Sequence, residues 1–493
     1  MIQSEDKRAL VQVAHNPIVA FTTLGCPKNE VDTDLMRVAA EAAGYYTREF
    51  NSENTTSYDA IVVNTCSFIQ EATEASIEAI FDTLALGDVP VVVAGCIVNR
   101  YADDLSQEMP EVKAFIKVGD CEALVRILAD CLPLKSATPV VRDSLPPRSF
   151  EYLRIADGCD RKCSFCTIPS IRGSYTSREP EDILAQAHSL VAAGTRELIV
   201  IAQDIGRYGS DLAMPATTAT ATTSTPLIDL LEQLAAIPHL KRLRLMYLQP
   251  EGLTDELLQT MAKHPTIVPY LEIPVQHVAA RILKAMGRNP RDVEGFEARL
   301  VKARKLMPSL SVRTTLIAGF PGESHQESAQ LRNFVERIGF DYVGVFPYSP
   351  EEGTRAAKLP DQLDEACRLE RAQELRDFAD SIGWQRAANR IGDTAEVLIE
   401  GYDPVDDVLI GRSSFQTPDI DGIVRVELPD EFKHVNFSSE VEAAADAEDF
   451  ARKQDILAKY YNRYLRVQFT DAILYDMDAA IVSDSDKDGS EHL

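Results

Sequence analysis

Six of the chain's nine cysteines fall into two sets whose setting could do chemistry. Cys159, Cys163 and Cys166 lie in the run Asp157-Gly158-Cys159-Asp160-Arg161-Lys162-Cys163-Ser164-Phe165-Cys166, a C-x3-C-x2-C spacing. Thiolates favour iron–sulfur clusters and zinc. Three of them this close along the chain can hold a cubane cluster and leave its fourth iron without a protein ligand. A structural zinc knuckle is the bland alternative, but such sites usually close four ligands, and no nearby His or fourth Cys completes one. An open iron can chelate an amino and a carboxylate group together and pass an electron to the molecule that carries them.

Cys26, Cys66 and Cys96 are far apart in sequence, yet each closes an apolar β-run. The runs end Phe21-Thr22-Thr23-Leu24-Gly25, Ile61-Val62-Val63-Asn64-Thr65 and Val91-Val92-Val93-Ala94-Gly95. In a parallel sheet all such carboxyl ends share one edge, where ligand sites form. Three thiolates could therefore converge on a second cluster, with Gly25 and Gly95 letting the backbone turn beside it. The alternative is three unrelated buried cysteines. Cys121, Cys131 and Cys367 lie in helix-like segments and read as buried small hydrophobes.

The elements that must position these sulfurs follow an alternating β/α pattern, which predicts an α/β fold with parallel sheets. Over 17–145 the β-runs are Ile18–Thr23, Ala60–Val63, Val89–Ala94 and Ala114–Val118, with helical patterns such as Glu30–Ala43 and Gln70–Leu86 between them. A proline-bearing linker, Ser136–Arg148, leads to a second domain over 149–388. Its six β-runs begin near Tyr152, Glu197, Leu240, Tyr270, Ser311 and Asp341, the pattern of a partial (βα)6 barrel with its site at the carboxyl ends of the strands. Cys159 directly follows the first of these runs. The Ala/Thr stretch Pro215–Pro226 reads as an exposed loop. Over 391–482, short runs at Ala395–Glu400, Val408–Gly411, Gly422–Leu428 and Tyr464–Thr470 predict a small β-barrel, interrupted by an acidic helical stretch, Ser439–Tyr461. The tail from Ser483 reads as disordered.

Composition narrows the partners. The chain of 493 residues has a formal charge of −27, and residues 391–493 hold 24 Asp and Glu against 9 Lys and Arg. Such a surface disfavours free nucleic acid and suits a basic protein. No apolar run reaches the roughly 18–20 residues that span a bilayer. The charged start, Met1 to Leu10, lacks a signal-peptide core, and an odd number of cysteines argues against a disulfide framework. A cytoplasmic protein is the expectation.

The C-x3-C-x2-C loop resembles the signature of the radical S-adenosylmethionine (SAM) superfamily. Both cysteine sets in this order resemble the methylthiotransferase family: an N-terminal three-cysteine domain, a radical SAM barrel and a C-terminal TRAM domain, over about 17–482. Leu24-Gly25-Cys26-Pro27-Lys28-Asn29, Cys166-Thr167-Ile168-Pro169-Ser170-Ile171-Arg172-Gly173 and Gly411-Arg412-Ser413 with Pro418-Asp419-Ile420-Asp421-Gly422 are similar to the branch that modifies an aspartate β-carbon in small-subunit ribosomal protein number twelve. Ile273-Pro274-Val275-Gln276-His277 and Met286-Gly287-Arg288 are shared with the tRNA-modifying branch, the main alternative. A non-catalytic iron–sulfur carrier is an alternative of another class.

The resemblance implies two [4Fe–4S] clusters held by the six cysteines, SAM as cofactor and methyl source, a radical route to the aspartate carbon, sulfur from the N-terminal cluster, and a flavodoxin- or ferredoxin-like electron donor. It further implies that Gln203 and Asp204 accept hydrogen bonds from the SAM ammonium, that Gly319, in Leu316-Ile317-Ala318-Gly319-Phe320-Pro321-Gly322-Glu323, approaches the adenosine, and that Phe165 packs on the adenine. Arg313 is the candidate partner for a carboxylate. His277 could donate a hydrogen bond in the site or serve structure alone, and Arg161-Lys162 could tune the cluster or keep its loop soluble.

Overall fold

The structure, a computed structural model, describes residues 16–52, 58–134, 148–212, 225–429, 432 and 452–484. The chain divides into two compact units, Met1–Leu145 and Pro146–Leu493.

In the first unit, β1 (Ile18–Thr23), α1 (Pro27–Ala43), β2 (Tyr46–Glu49), β3 (Ala60–Thr65), α2 (Gln70–Leu84), β4 (Val91–Gly95), α3 (Cys96–Glu108), β5 (Ala114–Ile116) and α4 (Cys121–Cys131) alternate along the chain. The sheet is parallel in the order β2-β1-β3-β4-β5. Helices cover both faces, so β3 and β4 are buried at every residue and read as unbroken apolar runs rather than alternating ones. The short, polar strand β2 escapes that signal because it lies at the edge and pairs only with β1. Helix α1 starts three residues before the expected Glu30, with Pro27 in its first turn, where a missing N–H costs nothing.

All six β-runs expected in the second domain are strands: β6 (Phe150–Arg154), then, after the two-residue β7 (Ala156–Asp157), α5 (Ile168–Arg172), β8 (Thr176–Ser177) and α6 (Pro180–Ala192), β9 (Glu197–Ile201), α7 (Pro226–Ala235), β10 (Arg242–Leu245), α8 (Asp255–Lys263), β11 (Tyr270–Glu272), α9 (Ala280–Ala285), α10 (Phe296–Leu306), β12 (Ser311–Ala318), α11 (His325–Ile338), β13 (Tyr342–Pro347) and α12 (Glu365–Ala388). They form two parallel half-sheets, β6-β9-β10 and β11-β12-β13, joined by a bridge between Leu243 and Ile267 and by Leu248 N–H donating to Glu272 O. One apolar core, from Leu153 through Leu198, Leu243, Leu271 and Val312 to Val345, lies between strands and helices.

The last domain is a closed five-stranded barrel, β14 (Thr394–Asp403), β15 (Val408–Ser413), β16 (Val424–Glu427), β17 (Tyr464–Ile473) and β18 (Asp476–Asp484), in the order β14-β15-β16-β18-β17. Closure leaves no free sheet edge. Strand β18 was not expected, and it carries the chain through Ser483 and Asp484, where the sequence suggested a disordered tail. Residues 452–460 are helical, as expected for the end of the acidic stretch; its earlier part, the linker up to residue 147 and most of the Ala/Thr loop lie outside the described residues. Pro226, assigned to that loop, opens α7.

This barrel meets the parallel strands at their amino-terminal halves, opposite the cysteine loop. Arg313 belongs to that contact. Its guanidinium donates to Asp421 Oδ1 at 2.5 Å, and Tyr270 OH donates to the other oxygen of Asp421 at 2.6 Å. Burial works against the Arg313 charge, but Asp421 more than offsets it and holds the pKa above its ordinary value. The expected ligand-carboxylate role for Arg313 is therefore corrected: its charge is committed to the barrel interface. Cys121, Cys131 and Cys367 are half-buried rather than buried, since each sits at a helix terminus. Among the described residues no helix is long and apolar enough to cross a membrane.

Candidate functional site

The first thiolate set gathers at one sheet edge. Cys26 follows β1, Cys66 follows β3 and Cys96 follows β4, three neighbouring strands; Cys26 and Cys66 flank the point where the strand order reverses, the usual ligand crevice of such sheets. Asn29 joins them. Its side chain is fully buried and its Nδ2 donates to Leu24 O at 2.8 Å and Thr65 O at 2.9 Å, which fixes the carboxamide. Its Oδ1 then lies 3.7 Å from both Cys26 Sγ and Cys96 Sγ. Gly25 (φ +110°) lets Cys66 approach: a Cβ there would stand 2.8 Å from Cys66 Cβ and 3.1 Å from its sulfur. Cys26 caps α1 and Cys96 opens α3. Ser76 clasps the Cys66 backbone, accepting from its N–H and donating to its carbonyl.

Asn29 lies within the first cysteine motif, but nothing in the sequence gives it a task. Replacing it with alanine should lower iron bound by this set by about 10–100-fold, the usual cost of losing a group that orients ligands, while the other cluster fills normally. Iron analysis in a Cys159→Ala background, where only the first set can load, measures this directly.

The second set sits at the carboxyl end of β6. Cys159 N–H donates to Gly173 O, Arg161 N–H to Cys159 Sγ at 3.4 Å and Ile168 N–H to Cys166 Sγ at 3.5 Å. Burial above all, with the neighbouring Cys163 and Cys159 acting in the same direction, holds the Cys166 thiol up at about 12; burial raises Cys159 as well, with Cys163 adding to it. The three sulfurs are thus near enough to feel one another's charge. Among the described residues, no group of three His, Cys, Asp or Glu side chains closes on a single metal ion.

The loop between the second and third cysteines is pinned by a segment whose task the sequence did not reveal. Ser164 N–H donates to Met286 O at 2.8 Å and its hydroxyl to Ala285 O at 2.7 Å, while Ala356 N–H donates to Ser164 O at 2.8 Å. Gly287 (φ +74°) packs so tightly on Lys162 O that any side chain there would collide with it. The Met286-Gly287-Arg288 motif is thus a clamp on the cysteine loop.

The residues expected to hold SAM are distributed as follows. Gln203 and Asp204 stand at the end of β9. Gln203 Nε2 donates to Asp157 Oδ1 at 2.8 Å, and Asp204 Oδ2 accepts from Arg161 Nε and Nη2 at 2.8 and 2.6 Å. This leaves Gln203 Oε1 and Asp204 Oδ1 buried without a hydrogen-bond partner. Orphaned buried acceptors need an explanation, and two of them together fit an ammonium group. Burial pushes the Asp204 carboxyl up, though Arg161 opposes it. Arg161 also pairs with Glu251, so it braces the cysteine loop against the barrel rather than remaining solvated. Gly319 (φ +75°) ends β12 and lies against Arg368, with its N–H donating to the fully buried Glu323 at 2.9 Å. Phe165 is half-buried among Ile282, Met286, Ile317, Phe320 and Tyr348, on the Gly319 side of the loop. His277 is fully buried, with Nδ1 accepting from Val278 and Ala279 N–H and Nε2 3.4 Å from Glu323 Oε2. Gln276, at the end of β11, holds a left-handed backbone (φ 69°) and a buried, unpartnered Oε1, a strained polar position of the kind that gathers at binding sites.

A parallel barrel with an incomplete thiolate trio at its strand ends is the architecture of a radical SAM enzyme, and residues 153–335 match the Radical SAM superfamily, whose members use SAM and a [4Fe–4S] cluster. Residues 18–117 match the Uncharacterized protein family UPF0004, and residues 391–482 match the TRAM domain. "Ribosomal protein uS12 methylthiotransferase RimO" of Trichlorobacter lovleyi is 39% identical over 428 residues, 83% of this chain and 92% of that protein. Its counterpart in Geobacter sulfurreducens is 39% identical with the same coverage, and that of Synechococcus sp. CC9311 is 37% identical over 86% of this chain and 89% of its own. The chain belongs to the RimO methylthiotransferase family. Among solved structures, the radical SAM methyltransferase TsrM of Kitasatospora setae aligns with a TM-score of 0.49 at 15% identity, over 68% of this chain and 77% of its own.

Proposed function

We propose that this chain adds a methylthio group to the β-carbon of an aspartate in ribosomal protein uS12. The observation that carries the reading is the first thiolate set: a SAM-cleaving barrel needs only Cys159, Cys163 and Cys166, whereas Cys26, Cys66 and Cys96 gather at a separate sheet edge, as a further cluster would require. The relatives' shared name supports the choice of substrate, and the acidic C-terminal region suits a basic ribosomal protein. SAM on a reduced cluster supplies the radical chemistry that breaks an unactivated C–H bond, which no side-chain base could deprotonate. The chain's own residues bind and orient: Gln203 and Asp204 accept from the ammonium, Gly319 admits the adenosine with Phe165 beside it, and Asn29 fixes the sulfur-bearing cluster. A flavodoxin- or ferredoxin-like protein supplies the electron, and the enzyme acts in the cytoplasm.

The test is product mass. Anaerobically reconstituted enzyme with SAM, reductant and sulfide is offered recombinant uS12 and, separately, bulk tRNA. A methylthio adduct on one uS12 aspartate is the expected result. Modification of an adenosine with uS12 untouched overturns the reading in favour of the tRNA branch, and cluster transfer to an acceptor without SAM cleavage overturns it in favour of a carrier.

A further inference from the structure

With Arg313 engaged at the far end of the barrel, the carboxylate of SAM has lost its expected partner, and the cysteine loop must supply or border another. Its cations are mostly committed. Arg161 is held by Asp204 and Glu251. Arg172 is held by Asp157. Arg368 Nη1 donates to Tyr348 O at 2.7 Å, and although its Nε is also unpartnered it lies against Gly319, on the adenosine side.

Arg288 stands instead on the cavity beside Cys163. Its Nη1 is anchored by Gln249 Oε1 at 2.8 Å and, more loosely, by Pro274 O at 3.3 Å, beyond the ends of β10 and β11. That anchor leaves Nε buried without a hydrogen-bond partner. A buried donor left unsatisfied is costly, and an incoming acceptor would remove that cost. Arg288 shares the cavity, of about 260 Å³, with Arg161, Lys162, Cys163 and Asp292. Its place relative to the cluster is set by the neighbouring Met286 and Gly287, which clamp the cysteine loop. Arg161 lines the same cavity and holds Asp204, whose Oδ1, like Gln203 Oε1, is an orphaned acceptor. A cation and bare acceptors linked in this way are the groups that the two ends of an α-amino acid require.

We propose that Arg288 binds the carboxylate of SAM, completing with Gln203 and Asp204 a site for its amino-acid end. A guanidinium anchored at one nitrogen can still present Nε and its second Nη as a fork to a carboxylate. The inference rests on the SAM reading above.

Equilibrium dialysis of the full reconstituted chain against SAM and against decarboxylated SAM tests it without catalysis. Wild type binding neither compound would overturn the SAM reading itself. With SAM bound by wild type, Arg288→Ala is expected to weaken SAM at least tenfold and to change decarboxylated SAM by less than about threefold, with Arg288→Lys between wild type and alanine. Unchanged SAM affinity in Arg288→Ala overturns the assignment. So does an equal loss for both compounds, with or without loss of iron, because that result makes Arg288 a brace of the cysteine loop only.

Discussion

Alanine at Cys66 is expected to leave SAM cleavage running and to stop methylthio transfer. The two reactions draw on different sulfurs in different compact units: Cys66 ends β3 in the first, and Cys159, Cys163 and Cys166 follow β6 in the second. Each unit has its own apolar core. The substitution removes one sulfur from a residue 8% exposed, beside a glycine, and inserts nothing. It takes away a cluster ligand, which should cost more than the 10–100-fold typical of groups that merely orient ligands. The measurements are iron per chain, 5′-deoxyadenosine released and the mass of uS12. Iron should fall by about half while deoxyadenosine persists and the methylthio product falls by at least about a hundredfold. The matching Cys163→Ala variant should lose both reactions. Normal product from Cys66→Ala would remove the first unit as the source of sulfur, and loss of deoxyadenosine would make Cys66 a residue of general folding.

The strands were legible because burial on both faces forces continuous apolar runs, and a run such as Ala60–Thr65 ending in a cysteine announces both the strand and its ligand. The edge strand β2, Tyr46–Glu49, carries no such pattern, since only one side of it meets the sheet. Strand β18 was hidden for another reason: Asp476-Met477-Asp478 turns its apolar residues into the barrel and its acids outward, and beside an acidic tail it reads as solvated chain. In the site, cysteines are recognisable from type and spacing alone. Asn29 and Met286-Gly287 act through backbone contacts made across more than thirty residues, and spacing says nothing of those. Arg313 failed for the complementary reason. Its strand was right, but only the three-dimensional register tells which end of the strand it occupies and which neighbour, Asp421, arrives there from 108 residues further on.

The second large effect is expected at that same interface. Glu197, at the start of β9, is fully buried between Arg244 Nε at 2.6 Å and Arg412 Nη2 at 3.0 Å; Arg412 comes from β15 and also meets Glu400. Burial alone pushes the Glu197 carboxyl up, but Arg244 and Arg412 overcome it and hold the group at about 2 against an ordinary value of 4.5. Across a leucine, Arg244 would be a buried charge without its carboxylate partner and Arg412 would keep only Glu400. Glu197→Leu should therefore destabilise the second unit by about 3–5 kcal/mol, far more than a lost surface pair. If unpaired charge rather than lost contact is the cause, adding Arg244→Met and Arg412→Met to that variant should restore most of the stability, because well-packed apolar side chains replace such a group at little or no net cost. A carboxylate with a depressed pKa contributes stability that is complete above its unfolded value and is lost as pH falls through its folded value. Wild type should accordingly lose this contribution between about pH 5 and pH 2, and the triple variant should lack that part of the acid dependence. The chain's one tryptophan, Trp384, sits on α12 with its ring 6.4 Å from Tyr475 between β17 and β18, so its fluorescence during urea unfolding reports this unit. Equal midpoints for wild type and Glu197→Leu at pH 7 would show that the barrel is held on by apolar contact alone and that Glu197 contributes nothing to holding it.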